Sequence, residues 1–126
     1  MTNTINASLF QEMIQAASTR LNNQAEYVNS LNVFPVPDGD TGTNMGMTIT
    51  NGAKAVSDNT GETVGQVAAI LSKGLLMGAR GNSGVILSQI FRGFGQAITD
   101  EDVFTAETLA QAFHIGVEVS NKAEMQ

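Results

Sequence analysis

Leu9-Phe10-Gln11-Glu12-Met13-Ile14-Gln15-Ala16-Ala17-Ser18-Thr19-Arg20-Leu21 places apolar side chains at 9, 10, 13, 14, 17 and 21. The stripe runs on through Ala25, Val28 and Leu31. Steps of three and four residues return to one face of an α-helix. Asn22-Asn23 interrupts the pattern, so the segment divides into a long helix and a short one. The rest of the chain repeats the signal. Met45, Ile49, Ala53 and Val56 mark a helix that ends near Ser57-Asp58-Asn59. Asn59 and Glu62 have capping-box spacing and open a helix with Val64, Val67, Ala68, Leu71 and Leu75 on one face. Ile86, Leu87, Ile90, Phe91, Phe94 and Ile98 mark the next, and Asp100, Glu101 and Asp102 form a loop. Thr105 then caps a last helix carrying Leu109, Phe113, Gly116 and Val117. No stretch sustains the period-two alternation of a strand. The expected fold is all-α, with antiparallel helices and short connections.

The 126 residues suffice for one domain with a core. Apolar residues make up 42% and charged residues 14%, which excludes a disordered chain. The longest apolar run, Val67-Ala68-Ala69-Ile70-Leu71, is far too short to span a membrane. No basic, apolar leader opens the chain, so no export signal is expected. The lack of cysteine excludes disulfides and thiolate metal sites and is compatible with a cytoplasmic setting. Twelve acidic residues against six basic give a net charge of -6, which argues against a nucleic-acid-binding face. A polyphosphate approaching such a chain needs a divalent cation, backbone N–H donors, or both.

Two connections offer these. The first runs Asn32-Val33-Phe34-Pro35-Val36-Pro37-Asp38-Gly39-Asp40-Thr41-Gly42-Thr43-Asn44, and a loop is expected to about Thr43. Asp38 and Asp40 would diverge on a helix but can converge in a turn. Pro35 and Pro37 disfavour helix before them, and Gly39 and Gly42 permit the angles that bring carboxylates together. Hard oxygen donors without His or Cys indicate magnesium or calcium rather than zinc. Thr41, Thr43 and Asn44 then stand where a helix begins, able to cap it or to face an anion. The competing reading is a solvated Asp-Gly turn that caps the following helix. An EF-hand fails, because Gly42 and Ile49 occupy the fifth and twelfth loop positions, where oxygen ligands are required. An Asp-x-Asp phosphatase of the haloacid dehalogenase type would need a strand before the aspartates, and the prolines make a poor one.

The second connection is Gly78-Ala79-Arg80-Gly81-Asn82-Ser83-Gly84. Its glycines let a phosphate or a ring approach the backbone, and the following helix start supplies N–H donors. Ser83 fits an N-cap or a phosphate donor, and Arg80 a phosphate or a surface role. No Gly-Lys-Ser/Thr closes a P-loop, and no strand precedes it as a dinucleotide fingerprint requires. Equally, the glycines fit a plain helix–helix connection that allows close packing. His114 reads as packed or solvated, Met45 and Met47 as core or pocket lining. Gly93, Gly95 and Gly116 read as close helix contacts, and Glu26 and Asn32 as solvated neighbours of the aspartate loop.

Leu31 to Met45, with Pro37-Asp38-Gly39-Asp40-Thr41-Gly42-Thr43-Asn44 at its centre, closely resembles the signature of the fatty acid kinase ATP-binding subunit. The amino-terminal domain of that subunit belongs to the dihydroxyacetone kinase L-subunit family. Lys73 to Gln89, with Gly78-Ala79-Arg80-Gly81-Asn82-Ser83-Gly84, resembles the family's second block. The resemblance implies an all-helical barrel that binds ATP or ADP through a pair of Mg2+ ions. It implies Asp38 and Asp40 as catalytic metal ligands. Thr41, Gly42, Thr43, Asn44, Gly81, Asn82, Ser83 and Gly84 are the nucleotide-contacting candidates. In the fatty acid branch, a separate DegV-type fatty-acid-binding protein presents the acyl carboxylate. In the dihydroxyacetone branch, a K-subunit presents the triose. L-subunits of the latter carry a third aspartate upstream of the pair and a histidine after it. Here Asn32 and Val33 stand upstream and Thr41 follows Asp40, which favours the fatty acid branch. The family domain has further helices, so residues 1–126 are expected to be its amino-terminal part. Apolar faces left uncovered would then favour self-association, for instance as a homodimer.

Overall fold

The structure, a computed structural model, describes residues 3–31, 40–59 and 61–125. It is all-α: α1 (Ala7–Asn23), α2 (Ala25–Leu31), α3 (Thr41–Asp58), α4 (Val64–Met77), α5 (Gly81–Ala97) and α6 (Ala106–Met125). Two strands of two residues, β1 (Thr4–Ile5) and β2 (Phe104–Thr105), pair antiparallel with Thr4 opposite Thr105 and Ile5 opposite Phe104. A ladder this short leaves no alternation in the sequence, which is why only helices are expected there. It ties the amino end to the connection between α5 and α6.

The helix limits follow from local chemistry. Asn6 caps α1 by accepting from the Leu9 N–H at 2.9 Å. The Asn22-Asn23 break falls as expected, and Asn22 donates to Ser18 O at 2.8 Å and to Thr50 Oγ1 at 2.9 Å, tying α1 to α3. The Asn59–Glu62 capping box does not form. Asn59 instead closes the end of α3, its side chain donating to Ala55 O at 2.9 Å. Thr63 caps α4 by accepting from the Gln66 N–H at 3.1 Å, and Gln66 Oε1 accepts from the Glu62 N–H at 2.8 Å. A related pattern thus forms four residues on, with the return bond taken by the Glu62 N–H rather than by that of the N-cap Thr63. The acidic loop completes it through its backbone: Asp102 O and Glu101 O accept from the Val64 and Gly65 N–H groups at 3.1 and 3.0 Å. Thr105 closes α6 as expected, accepting from the Thr108 N–H at 3.1 Å.

α4 runs through the centre. Val64, Val67, Ala68, Leu71 and Leu75 are at most 1% exposed, which is the face the periodicity predicts. α3 packs against it with small residues. Gly52 makes room for Leu71 and Leu75, while Gly74 lies on Ala55 and Gly52. On the far side five phenylalanines interlock. Phe94, fully buried, lies with ring centroids 4.8 Å from Phe113, 5.6 Å from Phe91 and 5.9 Å from Phe10. Phe104 closes the group at 5.1 Å from Phe10 in an edge-on contact, an arrangement aromatic quadrupoles favour. Gly93 and Gly116 let α5 and α6 touch backbone to backbone, as expected. Gly95 has ordinary clearance from α4 instead.

Candidate functional site

Helix α3 begins two residues before the loop was expected to end, at Thr41, and α5 begins at Gly81 rather than after Ser83. Thr41, Gly42, Thr43 and Asn44 are therefore the first turn of α3. Gly81, Asn82, Ser83 and Gly84 are the first turn of α5. Ser83 is not an N-cap, since Arg80 holds that position.

The two turns meet. Ser83 Oγ donates to Thr41 O at 3.3 Å. Gly81 has φ +65°, a left-handed conformation, and a Cβ there would lie 2.5 Å from the Asn44 side-chain nitrogen. Here glycine is required by conformation and by space. Beneath them Thr48, fully buried, stitches the pair together. Its hydroxyl donates to Asn44 O at 2.8 Å and accepts from the Arg80 N–H at 3.1 Å. Gly84 leaves the space that this hydroxyl occupies. Gly42 is buried against the Ala25 carbonyl of α2, so it can offer a ligand only its backbone.

The first turns differ in how their N–H groups are met. At α4 all three leading N–H groups have protein acceptors: Asp102 O, Glu101 O and Thr63 Oγ1. At α5 the N–H groups of Gly81, Asn82 and Ser83 meet none among the described residues, and no side chain caps the helix. Gly81 and Asn82 are exposed and Ser83 is half-buried, so these donors border solvent. A helix start with open donors carries a partial positive charge and suits an anion. Arg80, also exposed, adds a full charge at the same end.

Asp40 stands at the N-cap of α3, exposed; its backbone carbonyl accepts from the Asn44 N–H at 2.8 Å, and its side chain makes no hydrogen bond or ion pair among the described residues. Its carboxylate is a hard oxygen donor of the kind Mg2+ takes, and Mg2+ commonly uses one or two carboxylates and completes its shell with water and phosphate. The donor chemistry therefore fits a magnesium–nucleotide complex. Asp38 and Asn32 lie outside the described residues. Among those described, no cluster of three or more His, Cys, Asp or Glu could hold a metal.

Thr48 and Asn29 belong to this arrangement and escape the sequence reading. Asn29 on α2 meets Thr43 with both side-chain atoms: Oδ1 accepts from the Thr43 N–H at 3.1 Å, and Nδ2 donates to Thr43 Oγ1 at 2.9 Å. The signal for Thr48 was its place four residues after Asn44 on a buried face. Asn29 gave none, because its partner lies fourteen residues on, in the next helix. Two of the other candidates stay apart from the site. His114 is exposed on α6, 3.1 Å from Glu118, and Glu26 is exposed on α2. Met47 lines a 270 Å³ cleft with Asn22, Thr50, Asn51, Gly78 and Arg80, and Met45 is half-buried.

Residues 35–125, which include both turns, match the model of the DAK2 domain family. The chain belongs to the DAK2 domain family. That description points to a dihydroxyacetone kinase-like, nucleotide-binding domain. Proteins from Staphylococcus haemolyticus and Staphylococcus epidermidis, and one from Staphylococcus aureus strain USA300, are each 52% identical to this DAK2 chain over its 126 residues. Each is described as an uncharacterized protein. The alignment covers the whole of this chain and 23% of each relative, so it spans about a quarter of their length. No helix among the described residues is long and apolar enough to cross a membrane.

Proposed function

We propose that this DAK2 chain is the ATP-binding part of a kinase, in the form that makes acyl phosphate from a fatty acid. The observation that carries the reading is the meeting of two helix starts. One keeps its N–H donors open and the other carries an uncommitted carboxylate. In this reading residues 1–126 form the amino-terminal part of one kinase domain.

The N–H groups of Gly81, Asn82 and Ser83 bind phosphate oxygens, and the Ser83 hydroxyl and Asn44 amide fix the orientation. Asp38 and Asp40 would hold a pair of Mg2+ ions, which would supply charge neutralisation on the β- and γ-phosphates. Arg80 adds positive charge at the phosphate end. None of the described residues near the two turns is a histidine or a buried carboxylate suited to general base duty. A carboxylate acceptor, ionised at neutral pH, needs no base, and that favours the fatty acid over the triose of a dihydroxyacetone kinase. A DegV-type protein would present the acyl group, and a K-subunit would present the triose. The setting would be cytoplasmic, where ATP is available.

The test is thermal unfolding of the chain with ATP, with and without Mg2+. Binding to the folded state at a hundredfold excess over Kd stabilises by about 2.7 kcal/mol. A rise that requires both components supports the reading. An unchanged midpoint shows that this chain does not bind nucleotide by itself, and leaves a non-catalytic helical fragment as its function.

A further inference from the structure

Two helix starts in this chain are closed by the side chain of their own N-cap. Asn6 on α1 and Thr63 on α4 sit at extended N-cap geometry, with ψ 177° and 158°, and each side chain accepts from its own helix. Asp40 holds the same position on α3 and is as good a capping residue as either. Its ψ is 5°, and its side chain makes no cap hydrogen bond. The donor it would have taken is the N–H of Thr43, the third residue of the helix. That donor belongs to Asn29, which reaches across from α2 with a second bond to the Thr43 hydroxyl. The approach is held by Gly42, whose missing side chain leaves room for the Ala25 carbonyl. A side chain from the preceding helix thus does from outside what Asp40 would do from within.

We propose that Asn29 is a positioning residue that caps α3 so that the Asp40 carboxylate does not. The proposal rests on the magnesium–nucleotide reading above. A carboxylate folded onto its own helix start makes charge-assisted hydrogen bonds there, and a cation would have to displace them. With the Thr43 N–H already taken, Asp40 loses nothing by binding metal. Asparagine suits the task because it accepts and donates at once without bringing a second negative charge beside the phosphates.

A double-mutant cycle in metal-free buffer tests the first half, and Mn2+ binding with ADP, read by electron paramagnetic resonance, tests the second. Asn29→Ala alone should unfold almost as the parent does, because the released Thr43 N–H is then capped by Asp40. Asp40→Ala alone should do the same, because Asn29 still caps. The double variant should lose about fivefold in its folding equilibrium constant beyond the sum of the two, the worth of one N-cap. Asn29→Asp, which keeps the acceptor, should remove that excess. Mn2+ affinity in the presence of ADP should fall about fivefold in Asn29→Ala, because the metal must then displace the cap that Asp40 has taken over. If Asn29→Ala alone is as unstable as the double variant, Asp40 does not compete for the cap and the proposal is overturned. Unchanged Mn2+ affinity in Asn29→Ala overturns it equally. A parent chain that binds no Mn2+ with ADP defeats the nucleotide reading itself, and the metal-free cycle separates the two failures.

Discussion

Replacing Gly81 by alanine should lower both stability and nucleotide binding, and the first loss can be worked from the backbone. Gly81 has φ +65°, where an L-residue's Cβ crowds the following carbonyl at a cost of about 1–2 kcal/mol. The new methyl would also lie 2.5 Å from the Asn44 side-chain nitrogen and 3.1 Å from its Cγ. That neighbour is the end of a flexible side chain, so it swings aside, and the steric part adds little to the strain. With an unfolding entropy of about 2.1 cal/mol/K per residue over 126 residues, each kcal/mol moves the midpoint by about 4 °C. The expected fall is therefore about 4–8 °C, measured by far-ultraviolet circular dichroism on a reversible thermal scan. Gly81→Asn should lose less, because asparagine enters the left-handed region more readily. The displaced Asn44 amide and the re-aimed Gly81 N–H should also shrink the stabilisation by Mg2+ and ATP. A Gly81→Ala variant whose midpoint stays within about 1 °C of the parent would refute the claim that this turn demands glycine.

Thr48→Val should cost about 1–3 kcal/mol in chemical denaturation, since it leaves the Arg80 N–H without its acceptor in a part-buried place; Thr48→Ser should recover most of it. Asp40→Asn should leave metal-free stability within about 0.5 kcal/mol, as an exposed carboxylate without a partner contributes little to folding. The same variant should abolish the Mg2+-dependent part of the ATP shift, and a full shift in Asp40→Asn would remove Asp40 from the metal site. Phe94→Ala should cost about 3–5 kcal/mol, because the ring is fully buried among four others, and a loss under about 1 kcal/mol would show that the aromatic group is not part of the stabilising core. Phe113, Ile115 and Val117 are exposed on α6, so sedimentation should show concentration-dependent association that Ile115→Lys weakens; a parent chain that stays monomeric at all concentrations would count against it.

The helical class and the buried faces were legible in the sequence, because a stripe repeating every three to four residues has one physical solution. Val64, Val67, Ala68, Leu71 and Leu75 are buried as the spacing requires. The two polar, glycine-rich connections could also be singled out, since glycine and paired aspartates have few cheap uses. Helix boundaries were less legible. Asn59 and Glu62 have the spacing of a capping box, but Thr63 and Gln66 have an equally good one, and packing against the 101–102 carbonyls selects the second.

What the sequence determined by itself is therefore the set of helices, the face each buries and the two turns rich in donors and carboxylate. Only the tertiary structure decided that those turns share one place. Gly81 against Asn44, Ser83 against Thr41 and Thr48 beneath both are contacts between residues about forty positions apart or more than thirty, and no local pattern encodes such a pairing. The same holds for Asn29, whose hydrogen bonds to Thr43 cross from one helix to the next and leave Asp40 uncommitted. Local propensity is read from neighbours along the chain, whereas the open donors of α5 and the free carboxylate of α3 are defined by which partners folding withholds.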